Sequence, residues 1–192
     1  MKRKAFDRVV AAVGVLLAGL LLVAGSLLAW AHNFVSDEVS TQLSQQQITF
    51  PAAGSEQLSD PAVAPYLTKY AGQQLTNGEQ AKAYADHYIA VHLKAIGGGK
   101  TYSQLSTESM ANPDDTALAG KVQTVFRGET LRGLLLDAYA VGKMGQIALY
   151  AAWVAFAGAA MMLALSALGF RHARAVGAEV ELFDADPRVV GV

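Results

Sequence analysis

Two long blocks of the sequence, residues 9–30 and 145–170, contain no charged residue. Each block exceeds the roughly 20 apolar residues that an α-helix needs to cross about 30 Å of hydrocarbon. No proline interrupts either block, so each can form one continuous helix. The pattern therefore predicts two transmembrane helices, at residues 9–30 and 145–170.

Between the two blocks, residues 31–144 carry apolar positions mainly at helical spacing. A short helix is predicted to start at Ser36, where Asp37 and Glu38 follow. Residues 77–96 form a stronger helix with an apolar stripe, and the glycines at 97–99 end it. Its stripe consists of Tyr84, Tyr88, Val91 and Ala95, flanked by Ala81, Ala85, Ile89 and Ile96.

A long amphipathic pattern starts at Thr116 and runs without a proline into the second apolar block. Its apolar positions predict a broad face toward the core of the intervening domain, made of Leu118, Val122, Val125, Phe126, Leu131, Leu134, Leu135 and Ala138. Only residues 47–50 have the composition of a short β-strand. The predicted fold class is mainly α: two transmembrane helices flank a small helical extracytoplasmic domain. The second crossing is continuous, or nearly so, with the long amphipathic helix.

The distribution of basic residues predicts the orientation of the chain. Lys2, Arg3, Lys4 and Arg8 precede the first block, and basic residues beside a crossing tend to stay in the cytoplasm. Arg171 and Arg174 follow the second block. We therefore expect a cytoplasmic N-terminus (1–8), a first crossing (9–30), an extracytoplasmic domain (31–144), a second crossing (145–170) and a cytoplasmic tail (171–192), all at the plasma membrane.

A cleaved signal peptide is the alternative for the first block, because Ala29-Trp30-Ala31 resembles a cleavage site. The apolar run of about 22 residues is longer than the 7–15 residues of a usual signal core. An uncleaved membrane anchor is therefore the favoured interpretation.

Charge and composition exclude several classes of protein. The formal net charge is −1, whereas nucleic-acid binders need a concentrated basic surface. Cysteine is absent, so the chain offers no disulfide, thiolate metal site or cysteine nucleophile. Neither apolar block contains the ionisable residue that ion and proton pathways normally require. We expect no nucleic-acid partner and no transport activity.

Small residues at helical spacing are candidates for helix packing within the membrane. Gly14 and Ala18 form one such pair, and Ala151, Ala155 and Ala159 form a ladder on the second block. Small faces let helix backbones approach closely, which is how membrane helices commonly associate. These five residues are predicted to contact each other or integral membrane partner subunits, including other copies of the chain.

The sequence contains no convincing catalytic or metal-binding constellation. His87 and His92 lie five residues apart, about 140° around a helix, whereas paired metal ligands on a helix favour a spacing of four. The sequence GGGKT at 97–101 lacks the earlier glycine of a phosphate-binding loop and follows a helix instead of a strand. No GxSxG motif is present. The sequence therefore predicts no catalytic residue, no cofactor and no metal.

The remaining candidates are charges and glycines of the long helix. Arg132 follows Glu129 by three residues and can pair with it, either as an ordinary ion pair or, with Arg127, as a contact that docks another subunit. Gly128 and Gly133 weaken an isolated helix by up to about 1 kcal/mol each. They are explained either by close approach of a neighbouring helix or by a hinge.

Several segments carry a resemblance to a known family: ITFP (48–51), KYAGQQ (69–74), NGEQAKAYAD (77–86), GGKTY (98–102) and FRGETLRGLLL (126–136). With the flanking crossings, they resemble a family of two-pass membrane proteins from actinobacteria, over most of residues 1–170. Some members carry the label of a small subunit of an aromatic-ring-opening dioxygenase, but no iron ligand set is visible in this sequence. The resemblance implies an actinobacterial cell-envelope protein, and it carries over no catalytic residue.

Two functions from different classes follow. The first is a non-catalytic accessory or scaffolding subunit of a larger membrane complex, such as a respiratory or oxygenase assembly. The alternative is an extracytoplasmic ligand-binding or sensing protein with a pocket near Tyr84, His87, Tyr88 and Phe126. A filled core with an exposed apolar flank would favour the first, and a deep apolar cavity the second.

Overall fold

The computed structural model describes residues 2–175 and Gly177, and within them the protein is mainly helical with no β-strand. Two helices are very long and the rest are short. The α-helices are α1 (Arg3–Gln45), α2 (Ala64–Leu67), α3 (Gly78–Tyr84), α4 (Ala90–Ile96), α5 (Tyr102–Ala111) and α6 (Thr116–Ala175). A π-helical turn, Ala85–Ile89, joins α3 to α4, and 3₁₀ turns lie at Glu56–Leu58 and Thr68–Tyr70.

The described residues pack as two compact units. The first unit contains residues 2–31 and 147–175, and the second contains residues 32–146. Helices α1 and α6 each contribute one part to both units. The expected tail, 171–192, lies largely outside the described residues.

The first unit is an antiparallel pair of apolar helices. Gly169 of α6 faces Ala11 of α1, whereas Phe156 faces Gly25, so the numbering of the two helices runs in opposite directions. The buried residues of α1 include Ala11, Ala18 and Gly25, one every seven residues. A seven-residue repeat keeps one seam of a slightly supercoiled helix against its neighbour.

Both helices present mostly apolar side chains to their surroundings. In each of them only 17% of the most apolar 18-residue window is buried, so neither is the buried core helix of a globular domain. Both are long and apolar enough to span a bilayer. The prediction of a mainly helical chain with two candidate membrane-spanning helices is confirmed.

The prediction of a separate short helix beginning at Ser36 is wrong, because α1 continues unbroken to Gln45. Extending an existing helix fixes one residue per hydrogen bond, whereas a new helix must first form a costly nucleus. Val35, Val39 and Leu43 also continue a buried face of α1 at helical spacing in the second unit. The apolar face formed by these residues therefore favours a continuous helix over a new helix that starts at Ser36.

The core of the second unit is formed by the irregular segment after α1 and the helices that follow it. Its largest fully buried side chains include Phe50, Val63, Leu67 and Leu75. The predicted strand at 47–50 is a single antiparallel bridge between Thr49 and Gln74. The core of this unit is filled by side chains from elements far apart in the sequence.

The predicted core stripe on 77–96 is shifted. The buried positions are Ala81, Ala85 and Ile89, which were predicted at the flank of the stripe, and Leu93, so that one residue in four is buried. Tyr84, Tyr88 and Val91 are only half-buried beside them, and Ala95 is exposed. The π turn explains the shift, because its i→i+5 hydrogen bonding widens the helix there and brings every fourth residue onto one face.

The broad core face predicted for the long helix is also too wide. Val125 and Leu135 are buried, but Phe126, Leu131 and Leu134 are exposed. The helix therefore offers the core of the second unit a narrow seam and leaves part of its apolar surface uncovered.

Candidate functional site

A cavity of about 520 Å³ lies within the second unit. Its walls come mainly from the part of α1 after residue 31, from the loop and first turn of α3, and from α6, and the 3₁₀ turn Thr68–Tyr70 contributes Tyr70. The lining residues are His32, Ser36, Val39, Ser40, Tyr70, Thr76, Asn77, Gly78, Glu79, Tyr139, Gly142, Lys143, Gly145 and Gln146.

Glycines allow these three elements to approach one another. A Cβ on Gly78 would lie 3.1 Å from the Cα atom of Tyr139, so the start of α3 rests directly on the backbone of α6. A Cβ on Gly145 would lie 2.9 Å from Cγ1 of Val35, where α1 packs on α6. Replacing either glycine would push apart two walls of the cavity.

Local hydrogen bonds fix the start of α3. The side chain of Asn77 accepts a hydrogen bond from the backbone N–H of Gln80 (3.0 Å). The Oε1 atom of Gln80 in turn accepts one from the backbone N–H of Thr76 (2.7 Å). These reciprocal bonds satisfy backbone donors that a helix start leaves unpaired, so the wall at 76–79 is well defined.

The polar groups of the cavity can bind a ligand by hydrogen bonds. Nδ1 of His32 donates to the carbonyl oxygen of Gly145 (3.0 Å), which leaves Nε2 of the neutral ring as an acceptor. Lys143 pairs with Glu79 and donates to Oε1 of Gln146 (3.0 Å). The Nζ atoms of Lys82 and Lys143 lie 5.2 and 5.5 Å from the ring centroid of Tyr139.

Next to the cavity, ion pairs connect α3 and the π turn to α6. Asp86 in the π turn accepts hydrogen bonds from Lys82 (2.6 Å) and from Nη2 of Arg132 (3.1 Å). The hydrogen bond from Lys82 is the main cause that lowers the pKa of Asp86, with Arg132 adding to it and burial opposing it. The same bond raises the pKa of Lys82.

The predicted charged contacts are found in part. Arg132 does approach Glu129, at 3.4 Å, but its shorter contact is with Asp86, which the sequence did not identify. Arg127 is exposed and pairs with no acid among the described residues. The Lys82–Asp86 spacing of four residues was a visible pattern that would have identified Asp86 as an ion-pair partner.

Gly128 and Gly133 differ in their surroundings. A Cβ on Gly128 would collide with the side chain of Leu93, whereas no atom of the described residues lies within 4 Å of a Cβ on Gly133. Close approach of a neighbouring helix therefore accounts for Gly128 and leaves Gly133 without a packing reason.

The residues predicted for helix packing lie in the first unit. Ala18 and Ala159 are fully buried, and Ala155 is nearly so. Gly14 lies against the hydroxyl of Ser166. Ala151 is only half-buried, and its neighbour Ala152 occupies the buried position instead.

The histidines considered as metal ligands are separate from each other. His87 stacks on Tyr66, with ring centroids 3.4 Å apart, and Nδ1 of His92 donates to the carbonyl oxygen of Tyr88. His92 also borders a surface crevice with Glu56 and Asp60. Within residues 2–175, no group of three or more histidine and acidic residues is placed to hold a metal ion.

The residues expected to line an apolar pocket each pack against another aromatic ring: His87 against Tyr66, Phe126 against Tyr102, and Tyr84 against Tyr88. Tyr84 contacts Phe50 edge-on (5.4 Å between centroids) and Tyr88 (4.7 Å). Burial, with a smaller effect of Tyr88, raises the pKa of Tyr84 to about 12. The cavity lies beside different residues, His32, Ser36 and Tyr139 among them, which had no distinctive spacing in the sequence.

An uncovered apolar stripe lies on α6 in the second unit. Phe126, Leu134 and Val141 are 48%, 62% and 44% exposed, and their spacing of eight and seven residues places them on one side of the helix. Phe126 also contacts the ring of Tyr102 on α5, with centroids 5.5 Å apart. We call Phe126, Leu134 and Val141 the α6 stripe.

Comparison with known protein-family models, with curated proteins and with solved structures finds no match. The resemblance to an actinobacterial membrane family therefore stays a prediction.

Proposed function

We propose that this protein is a non-catalytic accessory or scaffolding subunit of a larger membrane complex. The observation that carries the proposal is the α6 stripe. Three large apolar side chains are exposed along one side of a helix that buries Val125 and Leu135 on another side. Exposed apolar surface of this kind marks sites of protein–protein or membrane contact.

The charges around the stripe favour a protein partner over lipid. Residues 126–143 contain Arg127, Glu129, Arg132, Asp137 and Lys143. A segment with five charges in 18 residues is costly to place in hydrocarbon, where each charged residue costs roughly 2.5–3.5 kcal/mol or more. A protein surface can pair these charges at its rim and cover the stripe at its centre.

In the proposed arrangement both helices span the plasma membrane, the two ends of the chain are cytoplasmic, and residues 31–144 are extracytoplasmic. The basic residues before the first apolar block and after the second support this orientation. The partners are integral membrane subunits, other copies of the chain included.

Packing of small residues in the first unit supports the same proposal. Ala11, Ala18 and Ala159 bury the seam between α1 and α6, and the outer surface of the pair is left to large apolar residues. Such a pair is a compact anchor that positions the second unit beside a membrane-embedded partner.

The test is mild extraction of the full-length chain from its native membrane, followed by native mass spectrometry. We expect the chain to migrate with other integral membrane proteins at a fixed stoichiometry that survives dilution. Migration as a single chain would contradict the proposal.

A further inference from the structure

The polar cavity of the second unit has a lining that the scaffolding role does not require. Four hydroxyl groups, those of Ser36, Ser40, Tyr70 and Tyr139, border it and make no hydrogen bond within the described chain. Nε2 of His32 is a further acceptor beside them, because Nδ1 is already used. Donors and acceptors are thus concentrated around one space of about 520 Å³, a volume typical of small-molecule sites.

The charge of the lining restricts the class of ligand. Its two charged side chains, Glu79 and Lys143, form an ion pair with each other and cancel. An anionic ligand such as a phosphate would need a surplus of positive charge, and a divalent cation would need several carboxylates. A purely apolar ligand would leave the hydroxyl groups without partners.

We propose that this cavity binds a neutral, polyhydroxylated small molecule of the sugar or polyol class. Hydroxyl groups both donate and accept hydrogen bonds, so they match the hydroxyls, the imidazole and the Gln146 amide of the lining. The aromatic rings of Tyr70 and Tyr139 provide apolar surface beside these polar groups. The proposal does not depend on the accessory-subunit function.

The same chemistry is offered by a free sugar and by the head group of a glycolipid. The full-length chain is therefore reconstituted in phospholipid nanodiscs, without sugar-based detergents. Glucose and maltose in solution are one set of probes, and an alkyl maltoside incorporated in the disc is the other. Glucose 6-phosphate and glutamate serve as charged comparators, and saturation-transfer NMR measures binding.

Two variants of α6 form a matched pair. Gly142→Leu fills the cavity, and its Cβ would lie 3.8 Å from the nearest neighbouring atom, the Cα of Gly78, which is ordinary contact. Gly133→Leu places the same side chain on the same helix, at a position where residues 2–175 place no atom within 4 Å of the new Cβ. Both variants improve helix propensity, so a difference between them reports on the cavity.

A milder variant keeps the test valid if Gly142→Leu does not fold. Tyr139→Phe removes one hydroxyl and keeps the ring near Lys82 and Lys143. Loss of one hydrogen bond weakens binding roughly two- to tenfold. Tyr102→Phe, at an exposed tyrosine on α5, is its control.

We expect wild type and both controls to bind a neutral probe at millimolar concentration, Gly142→Leu to lose binding, and Tyr139→Phe to bind more weakly. Binding of free sugar would indicate a soluble ligand, and binding of the alkyl maltoside alone would indicate a glycolipid. The proposal is overturned if no neutral probe binds, if the charged comparators bind better, or if folded cavity variants bind like their controls.

Discussion

The ion pair between Asp86 and Arg132 makes an asymmetric prediction about stability. Asp86 pairs with both Lys82 and Arg132, so Asp86→Ala removes two partners at once. Arg132→Ala leaves Asp86 paired with Lys82. Asp86→Ala, in the π turn, should therefore destabilise the second unit more than Arg132→Ala, on α6.

The magnitudes follow from the exposure of the pair. The side chains of Arg132 and Asp86 are 32% and 22% exposed, so this pair is intermediate between a surface ion pair and a buried one. A surface pair contributes about 0–1 kcal/mol to stability, and disruption of a buried pair costs about 3–5 kcal/mol. Asp86→Ala also leaves the guanidinium of Arg132, whose Nε atom is buried without a hydrogen-bond partner among the described residues, with one acid fewer. We expect a loss of about 2 kcal/mol for Asp86→Ala and about 1 kcal/mol for Arg132→Ala.

The absence of cysteine provides the assay. Val63 is fully buried in the core of the second unit, so Val63→Cys introduces a single thiol that reacts with a labelling reagent only when this unit opens. Since about 1.4 kcal/mol corresponds to a tenfold change in an equilibrium, labelling should accelerate about 30-fold with Asp86→Ala and about fivefold with Arg132→Ala. Arg127→Ala, at an exposed arginine of the same helix, is the matched control and should change little.

The pH dependence follows from the lowered pKa of Asp86. Because the folded pKa lies below the unfolded value of about 3.9, the stabilisation is present above that value and is lost as pH falls through the folded pKa. Thermal melts of wild type and Asp86→Asn should differ by a constant amount above about pH 5 and converge in stronger acid.

The reasoning is refuted if Arg132→Ala accelerates thiol labelling as much as Asp86→Ala does. It is also refuted if neither substitution accelerates labelling more than Arg127→Ala does.

Three further predictions concern burial, packing and capping. In a spectrophotometric titration, one of the seven tyrosines should ionise last, near pH 12, and Tyr84→Phe should abolish that step. Because the pKa of Tyr84 is higher in the folded chain than in the unfolded chain, the free energy of unfolding should begin to fall above about pH 10, and this fall should be complete only above about pH 12. Gly14→Leu, which collides with Ser166, should lower the thermal stability of the first unit, whereas Gly19→Leu, whose Cβ has no neighbour within 4 Å in the described part of the chain, should not. Equal melting temperatures of the two variants would disprove the packing of this seam. Thr101→Ala removes one half of the capping box of α5 and should cost about 1 kcal/mol in chemical unfolding, and an unchanged midpoint would show that this cap contributes nothing.

The sequence predicted the two long apolar helices of this fold. It missed the features that depend on contacts between residues far apart in the chain. The two apolar blocks are longer than any core helix of a small domain needs, so their helical form follows from length and composition alone. The continuation of α1 to Gln45 depends on Val39 and Leu43 reaching a core built from later residues. The π turn at Ala85–Ile89 is likewise invisible to a 3.6-residue pattern.

The candidate site was harder to predict than the fold. The hydrogen bond between Arg132 and Asp86 joins residues 46 positions apart, and the bond between His32 and Gly145 joins residues 113 apart. Local spacing contains no information about such distant partners. Serine, tyrosine and glutamine residues also have no distinctive pattern unless the fold brings them around one space, as it does in the cavity.

The accessory-subunit proposal is tested most directly by placing a charge in the α6 stripe of the full-length chain in its native membrane. Leu134→Glu introduces a carboxylate at the most exposed residue of the stripe, and Gln123→Glu introduces the same charge at another exposed position of α6. After mild extraction, native mass spectrometry compares the assemblies. We predict that wild type and Gln123→Glu stay with their membrane partners and that Leu134→Glu is released while its helical content is unchanged. Equal retention of both variants, or a wild-type chain without partners, would contradict the account.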